Sequence, residues 1–244
     1  MKITLIQPKY PHGDKSQTYL PGGLMNLGSR LLHAGIEINF IDLNDGYWKK
    51  WQQILDESDL IGFTVIGPPS IPEVIKTIHD MREAGLKQTV FVGGEGVSRL
   101  QPNHFKIWFS DLNVFQIRGD QDLALICKVN IQELPDAFDT SMVSMLKTLD
   151  EEQLRKYLTS EFSLFTSQGC AFNCAFCAAD KAKKEHYRSL ESLADELKFI
   201  CQYLKQIKCS ELRSYLTNLD AFQTPHMLEK RDNTQFPWLL TTCF

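Results

Sequence analysis

Gly169-Cys170-Ala171-Phe172-Asn173-Cys174-Ala175-Phe176-Cys177 is the stretch from which the rest of the chain is read. Three cysteines fall within eight residues, at the spacing CxxxCxxC. The chain has seven in all, the others being Cys127, Cys201, Cys209 and Cys243. An odd number with three crowded together does not suit a disulfide framework, which spreads its bridges through a small secreted chain. A tight cluster favours metal or redox chemistry. The spacing lets one loop wrap a cubic cluster, and thiolates are the soft ligands that iron–sulfur clusters need. Three ligands for four irons leave one iron open to a small molecule, whereas an electron-transfer cluster usually has four protein ligands. Zinc is the competing metal, with His186 completing a Cys₃His set. Zinc ligands more often come as two separated pairs, and the chain has no second CxxC. For Cys127, Cys201, Cys209 and Cys243 the plain reading is a small buried hydrophobe.

Outward from the cluster, Phe162–Ser167 has the composition of a strand. On the other side Leu190, Leu193, Leu197, Ile200, Leu204 and Ile207 recur at three and four, the pattern of a long amphipathic helix. Another short strand fits Leu212–Leu216. Upstream, residues 129–161 read as a connector, broken at Leu134-Pro135-Asp136, with a polar helical stretch around Lys147–Lys156.

The first 130 residues alternate short β-rich runs with helical patterns, the signature of a parallel α/β sheet. Strands are expected at Ile3–Gln7, Ile36–Asp42, Leu60–Ile66, Thr89–Val92 and Val114–Ile117. They are apolar nearly throughout, as when helices cover both faces. One helix carries Leu24, Leu27, Leu31 and Leu32 and ends at Gly35. Another carries Ile71, Val74, Ile75, Ile78 and Met81, with Pro72 in its first turn and Gly85 as its cap. The expected fold is therefore α/β: a Rossmann-like doubly wound parallel sheet over residues 1–130, a linker over 131–160 and a second unit over 161–244. Small residues stand where the strands should end: Pro8 after the first, Gly93-Gly94-Glu95 after the fourth and Arg118-Gly119-Asp120 after the fifth. Asp42 ends the second, and Leu20-Pro21-Gly22-Gly23-Leu24 leads into the first helix. Such edges let a ligand approach the backbone closely. Thr64, Gly93, Gly94 and Gly119 are the candidate ligand contacts there.

The composition excludes some classes. Of 244 residues, 43% are hydrophobic and 23% charged, and the net charge of −4 gives no nucleic-acid footprint. No apolar run approaches the ~20 residues of a membrane span. Met1-Lys2-Ile3-Thr4-Leu5-Ile6 is too short for a signal-peptide core and reads as a first strand. A cytoplasmic protein is expected.

CxxxCxxC with an aromatic, here Phe176, before the last cysteine resembles the motif of the radical S-adenosylmethionine (SAM) enzymes. The resemblance implies a 4Fe–4S cluster on Cys170, Cys174 and Cys177. Its open iron binds the amino and carboxylate groups of SAM, which the reduced cluster cleaves to a 5′-deoxyadenosyl radical. It also implies a small-molecule substrate and a reductant such as flavodoxin or ferredoxin. In that family the motif follows the first strand of a (β/α)₆ partial barrel. Tyr187-Arg188-Ser189 resembles a turn of the cobalamin-dependent subfamily, and residues 1–130 resemble its cobalamin-binding domain. The DxHxxG cobalt-ligand motif is absent, and His12 does not match its spacing. That motif is commonly missing from this subfamily. The GGE motif expected after the second barrel strand is replaced by Thr217-Asn218-Leu219-Asp220. Asp220 is a candidate contact for the SAM amino group, or a helix cap before Pro225.

The implied fold is an incomplete radical SAM (β/α) barrel. Roughly two and a half βα units of ~30 residues fit after Ser160, and Phe236–Thr241 resembles a third barrel strand. A truncated product, or one half of a split enzyme with a second chain completing the barrel, is expected. The implied reaction is cobalamin-dependent methylation of an unactivated carbon, ring formation or rearrangement. An inactive remnant or scaffold and a zinc-stabilised binding module are the alternatives. No catalytic residue and no substrate can be read.

Overall fold

A computed structural model describes residues 1–9, 19–98, 100–160, 162–168, 186–209 and 214–217. They divide into two compact units between Pro135 and Asp136, with residues 19–22 grouped with the second.

In the first unit, five strands form one sheet. They are β1 (Lys2–Gln7), β2 (Glu37–Asp42), β3 (Leu60–Thr64), β4 (Thr89–Gly93) and β5 (Val114–Gln116). Their order is β2-β1-β3-β4-β5, and every pair is parallel. Six helices join or follow them: α1 (Gly22–His33), α2 (Gln52–Asp56), α3 (Ile71–Glu83), α4 (Glu95–Ser98), α5 (Pro102–Phe109) and α6 (Asp120–Cys127). Successive residues Ile3 to Gln7 are all buried, so β1 is covered on both faces. One face packs Ile6, Ile61, Phe63, Val90 and Val92 against Leu55, Val74, Ile78, Phe105 and Phe109 of α2, α3 and α5. Ile3, Leu5 and Phe91, being out of phase along their strands, face the other way. The expected doubly wound sheet is present.

The sequence limits held closely for four of these strands. The third is shorter than Leu60–Ile66: it stops at Thr64, because Val65 donates its amide to the Gly93 carbonyl and its own carbonyl accepts the Gly96 amide as the chain turns. Ile66 is exposed. Helix α3 ends as expected at Gly85, where φ is +93°. Arg30 of α1 is buried, and its guanidinium reaches Asp120 at 2.7 Å and the carbonyl of Pro135 at 2.8 Å. That contact fixes the start of α6.

The second unit contains α7 (Val143–Leu146), α8 (Glu151–Leu158), β6 (Phe162–Phe165), β7 (Ser167–Gln168), β8 (His186–Tyr187), α9 (Leu190–Gln206) and β9 (Ser214–Thr217). The 131–160 stretch, expected as a linker, holds α7 and α8, and from Asp136 on it clusters with this unit. Strand β6 pairs in parallel with β9, Phe162 opposite Ser214 and Phe165 opposite Thr217. A parallel pair needs a crossover, and α9 lies between the two in the chain. Its apolar face buries Leu193, Leu197, Ile200 and Leu204 as the spacing predicts. Leu190 departs from that pattern and is exposed, because it is the first residue after the Ser189 cap. The expected strand Phe162–Ser167 is two elements. Past Thr166 the chain pairs antiparallel with β8, Ser167 opposite Tyr187 and Gln168 opposite His186.

Two packing features of the first unit have measurable consequences. Gly62 lies opposite Phe91, and a β-carbon built on it would run into the Phe91 ring. Alanine in place of glycine normally adds about 0.4–1 kcal/mol by restricting the unfolded chain. Overpacking a core costs about 1–3 kcal/mol, so the clash should win. Gly62→Ala is expected to lower the melting temperature by several degrees, and Phe91→Leu in the same chain should recover part of the loss. A Gly62→Ala chain that melts at or above the parent would show that the ring simply moves aside.

Cys127 is buried on α6, and burial pushes its thiol up to about 11. Only the thiolate reacts, so iodoacetamide at pH 8 should leave Cys127 unlabelled in the native chain and label it fully in denaturant. Because folding raises this pKa, its contribution to stability is complete below the ordinary 9.0 and is lost as pH climbs toward about 11. Peptide mass spectrometry and alkaline melting curves check the two statements.

Candidate functional site

A sheet of order β2-β1-β3-β4-β5 reverses direction at β1, with β2 on one side and β3 on the other. Ligands of such sheets bind beyond the carboxyl ends of the strands, at the reversal. Thr64, Gly93, Gly94 and Gly119 all stand on that edge. Thr64 is paired with Gly93 in register. Gly94, at φ +93°, folds back over β3: a β-carbon there would lie 2.6 Å from the Val65 carbonyl and 2.9 Å from Thr64 Oγ1. Glycine is thus required at 94 by the protein's own backbone. A β-carbon on Gly93 would touch Ile117 at 3.4 Å. Gly119 is exposed, its backbone is extended, and nothing lies within 4 Å of the place a β-carbon would take. The first three candidates are therefore in mutual contact, and the fourth borders open space one strand away.

Three residues of this edge escaped the sequence reading. Gly96 packs as tightly as Gly94, its missing β-carbon 2.7 Å from Val65 Cγ1. The run Gly93-Gly94-Glu95-Gly96 carried that signal. Gln116 ends β5 and donates to the carbonyls of Val97 (2.7 Å) and Leu100 (3.0 Å), which tethers α4. Gln7 ends β1, is buried, and donates to the Pro8 carbonyl at 3.3 Å. Its Oε1 accepts no hydrogen bond among the described residues. Asp42, at the end of β2, is turned to its own loop: its Oδ1 accepts from the backbone and side-chain nitrogens of Asn44.

Cys170, Cys174, Cys177, Phe176 and Asp220 lie outside the described residues, as do His12 and Cys243. The chain that carries the cysteines leaves from Gln168 and returns at His186, and those two ends are paired by β7 and β8. Arg188 secures the return. Its amide donates to the carbonyl of Thr166 at 3.0 Å, and its Nη1 to the carbonyl of Phe165 at 3.2 Å. The same guanidinium makes a bidentate pair of hydrogen bonds to Glu196, Nη1 donating to Oε2 at 2.9 Å and Nη2 to Oε1 at 2.8 Å. Nη2 also donates to Ser192 Oγ. Glu196 has no exposure at all, and its Oε1 accepts the Met142 amide at 2.8 Å. Ser189 caps α9 by accepting the Ser192 amide at 3.2 Å, while its own amide donates to Asp139 Oδ1 at 2.7 Å. The Tyr187-Arg188-Ser189 turn thus joins the end of β6, the first two turns of α9 and the 139–142 segment.

The remaining cysteines divide. Cys127 is buried and Cys209 half-buried, and neither is in a disulfide. Cys201 is buried on α9. One cluster of metal-ligand type occurs among the described residues, His79, Asp80 and Glu83 on α3. Asp80 is already engaged by Lys76 Nζ and Tyr47 Oη, both at 2.9 Å, and these hold its carboxyl below the usual range. The other two form an exposed pair at 3.5 Å. No described helix is long and apolar enough to cross a membrane.

No family model and no curated protein matches the chain. Among solved structures, the cobalamin-dependent S-adenosylmethionine radical enzyme OxsB, with aqua-cobalamin and S-adenosylmethionine bound, superposes at a TM-score of 0.60 and 18% identity. The match covers 85% of this chain and 32% of that one, so the chain spans about a third of its neighbour's length. The same enzyme with aqua-cobalamin alone gives the same values. The chain shares the fold of that part of a cobalamin-dependent radical SAM enzyme.

Proposed function

We propose that this chain belongs to a cobalamin-dependent radical SAM enzyme and carries its cluster site. The carrying observation is the parallel β6–α9–β9 unit, with the CxxxCxxC segment following the carboxyl end of its first strand. Reactive groups of α/β proteins collect at that end. Three thiolates, from Cys170, Cys174 and Cys177, suit a 4Fe–4S cluster that keeps one iron free. When bound, the reduced cluster supplies an electron that cleaves SAM and starts radical chemistry. Phe176 beside the last ligand and Asp220 after β9 are the residues assigned to SAM. A one-electron donor of the flavodoxin or ferredoxin class fits the need for reduction. The reaction class is methylation or rearrangement of a small molecule.

Cobalamin is assigned to the carboxyl edge of the first sheet, against Thr64, Gly93, Gly94 and Gly119. The support is the reversal at β1, the small residues along the edge and the open space beside Gly119. Packing alone accounts for Gly94, and this favours a second reading in which the sheet holds no cobalamin.

The two assignments are tested separately. After anaerobic reconstitution with iron and sulfide, the parent chain should be brown and cleave SAM on reduction. Cys170→Ala, Cys174→Ala and Cys177→Ala should each lose the bound iron, and Cys209→Ala should keep it. Equal iron in Cys174→Ala and the parent would defeat the cluster assignment, and colourless protein with stoichiometric zinc would replace it with a structural zinc site. For the sheet edge, hydroxocobalamin titrated into the whole chain should shift its visible spectrum at micromolar levels. Gly119→Leu, which the extended backbone accepts, should weaken binding at least ~10-fold, since a lost contact of 1.4 kcal/mol is tenfold. No binding by the parent selects the cobalamin-free reading.

A further inference from the structure

We propose that Arg188 is a positioning residue for the iron–sulfur segment, holding both ends of that segment at the mouth of β6; this rests on the cluster assignment above. Three observations carry it. Arg188 is the first residue after β8, the strand by which the cysteine-bearing chain returns. It binds two successive carbonyls of the outgoing chain, Phe165 through its side chain and Thr166 through its amide. It is also anchored from behind by a fully buried carboxylate on the second turn of α9. Departure, return and helix are therefore fixed to one another by one side chain.

Stability does not explain this arrangement. A buried ion pair is commonly matched or bettered by apolar residues of similar size. Apolar residues cannot bind the Phe165 carbonyl or define the angle at which the returning strand meets β6. Planar, forked donors can, which is the property that separates arginine from lysine. Three thiolates on one loop must converge on one cluster, and the entropic cost of convergence falls when the loop's ends are already closed. The Arg188 network supplies that closure without touching the cluster.

The test compares the reconstituted parent chain with Arg188→Met/Glu196→Met, which removes the pair and keeps the volume. Far-UV circular dichroism and melting report the fold, and the decay of iron–sulfur absorption in excess chelator reports cluster lifetime. The double variant is expected to melt within a few degrees of the parent and to lose its cluster at least ~10-fold faster. A purely structural role would lower melting and lifetime together. Arg188→Lys, with one point donor in place of a fork, should fall between parent and double variant. If the double variant does not fold, Ser192→Ala, which removes only one partner of Nη2, takes its place, with a smaller acceleration expected. A parent that takes up no iron overturns the cluster assignment and this inference with it. A parent that holds the cluster, beside a folded variant that holds it equally long, overturns this inference alone.

Discussion

Parallel pairing governs both units. Two parallel strands must be joined by a crossover, so every strand of a set ends on the same edge and every joining helix lies across the sheet. Residues meant for chemistry have one place to stand, beyond the carboxyl ends. In the first unit that edge holds Thr64, Gly93, Gly94 and Gly119, with Gln7 at the reversal. In the second it holds the departure and return of the cysteine-bearing chain, at Gln168 and His186. Tight packing of the loops follows from the same rule. The β4 turn can close over β3 only because Gly94 and Gly96 have no side chain to put against Val65.

The charged groups buried in this protein serve geometry more than stability. Arg30 fastens the start of α6 and the Pro135 carbonyl. Arg188 fastens the end of β6. Both guanidiniums are buried, and both bind a backbone carbonyl as well as a carboxylate. Removing one member of a fully buried pair such as Arg188–Glu196 costs about 3–5 kcal/mol, while replacing both with apolar residues is often neutral. Interactions of that kind are costly to break singly and contribute little net stability. Their benefit is a fixed angle between elements that apolar contact alone would leave free.

The legible parts of the fold were those whose physics is local. Buried parallel strands are apolar on both faces, so β1, β3 and β4 stand out in sequence. Pro72, Gly85 and the spacing from Leu193 to Leu204 mark α3 and α9 in the same way. The cysteine spacing names a chemistry without any structure. Short helices such as α2 and α4 carry too few turns to show a period. The break in the strand after Phe165 depends on a partner, β8, that returns only after the cysteine segment. Nothing local to Arg188 marks its burial, since arginine is almost never fully buried unless paired. Its partner Glu196 is two turns away on a helix whose other landmarks are leucines. The depth of Gln7 likewise comes from neighbours on β2 and β3, which no local pattern records.

The contact between Gly62 and Phe91 also bears on descent. The two residues lie on adjacent strands, and the ring of one occupies the space denied to the other. Position 62 cannot enlarge while the ring at 91 stays. A lineage that enlarges residue 62 must first shrink residue 91, and one that has shrunk 91 is under no pressure to keep glycine. The pair should therefore change together across related sequences, with glycine and a large ring on one side of the exchange and two middling aliphatics on the other. Intermediates with both residues large should be missing, while those with both small should survive at reduced stability and act as the bridge between the two states.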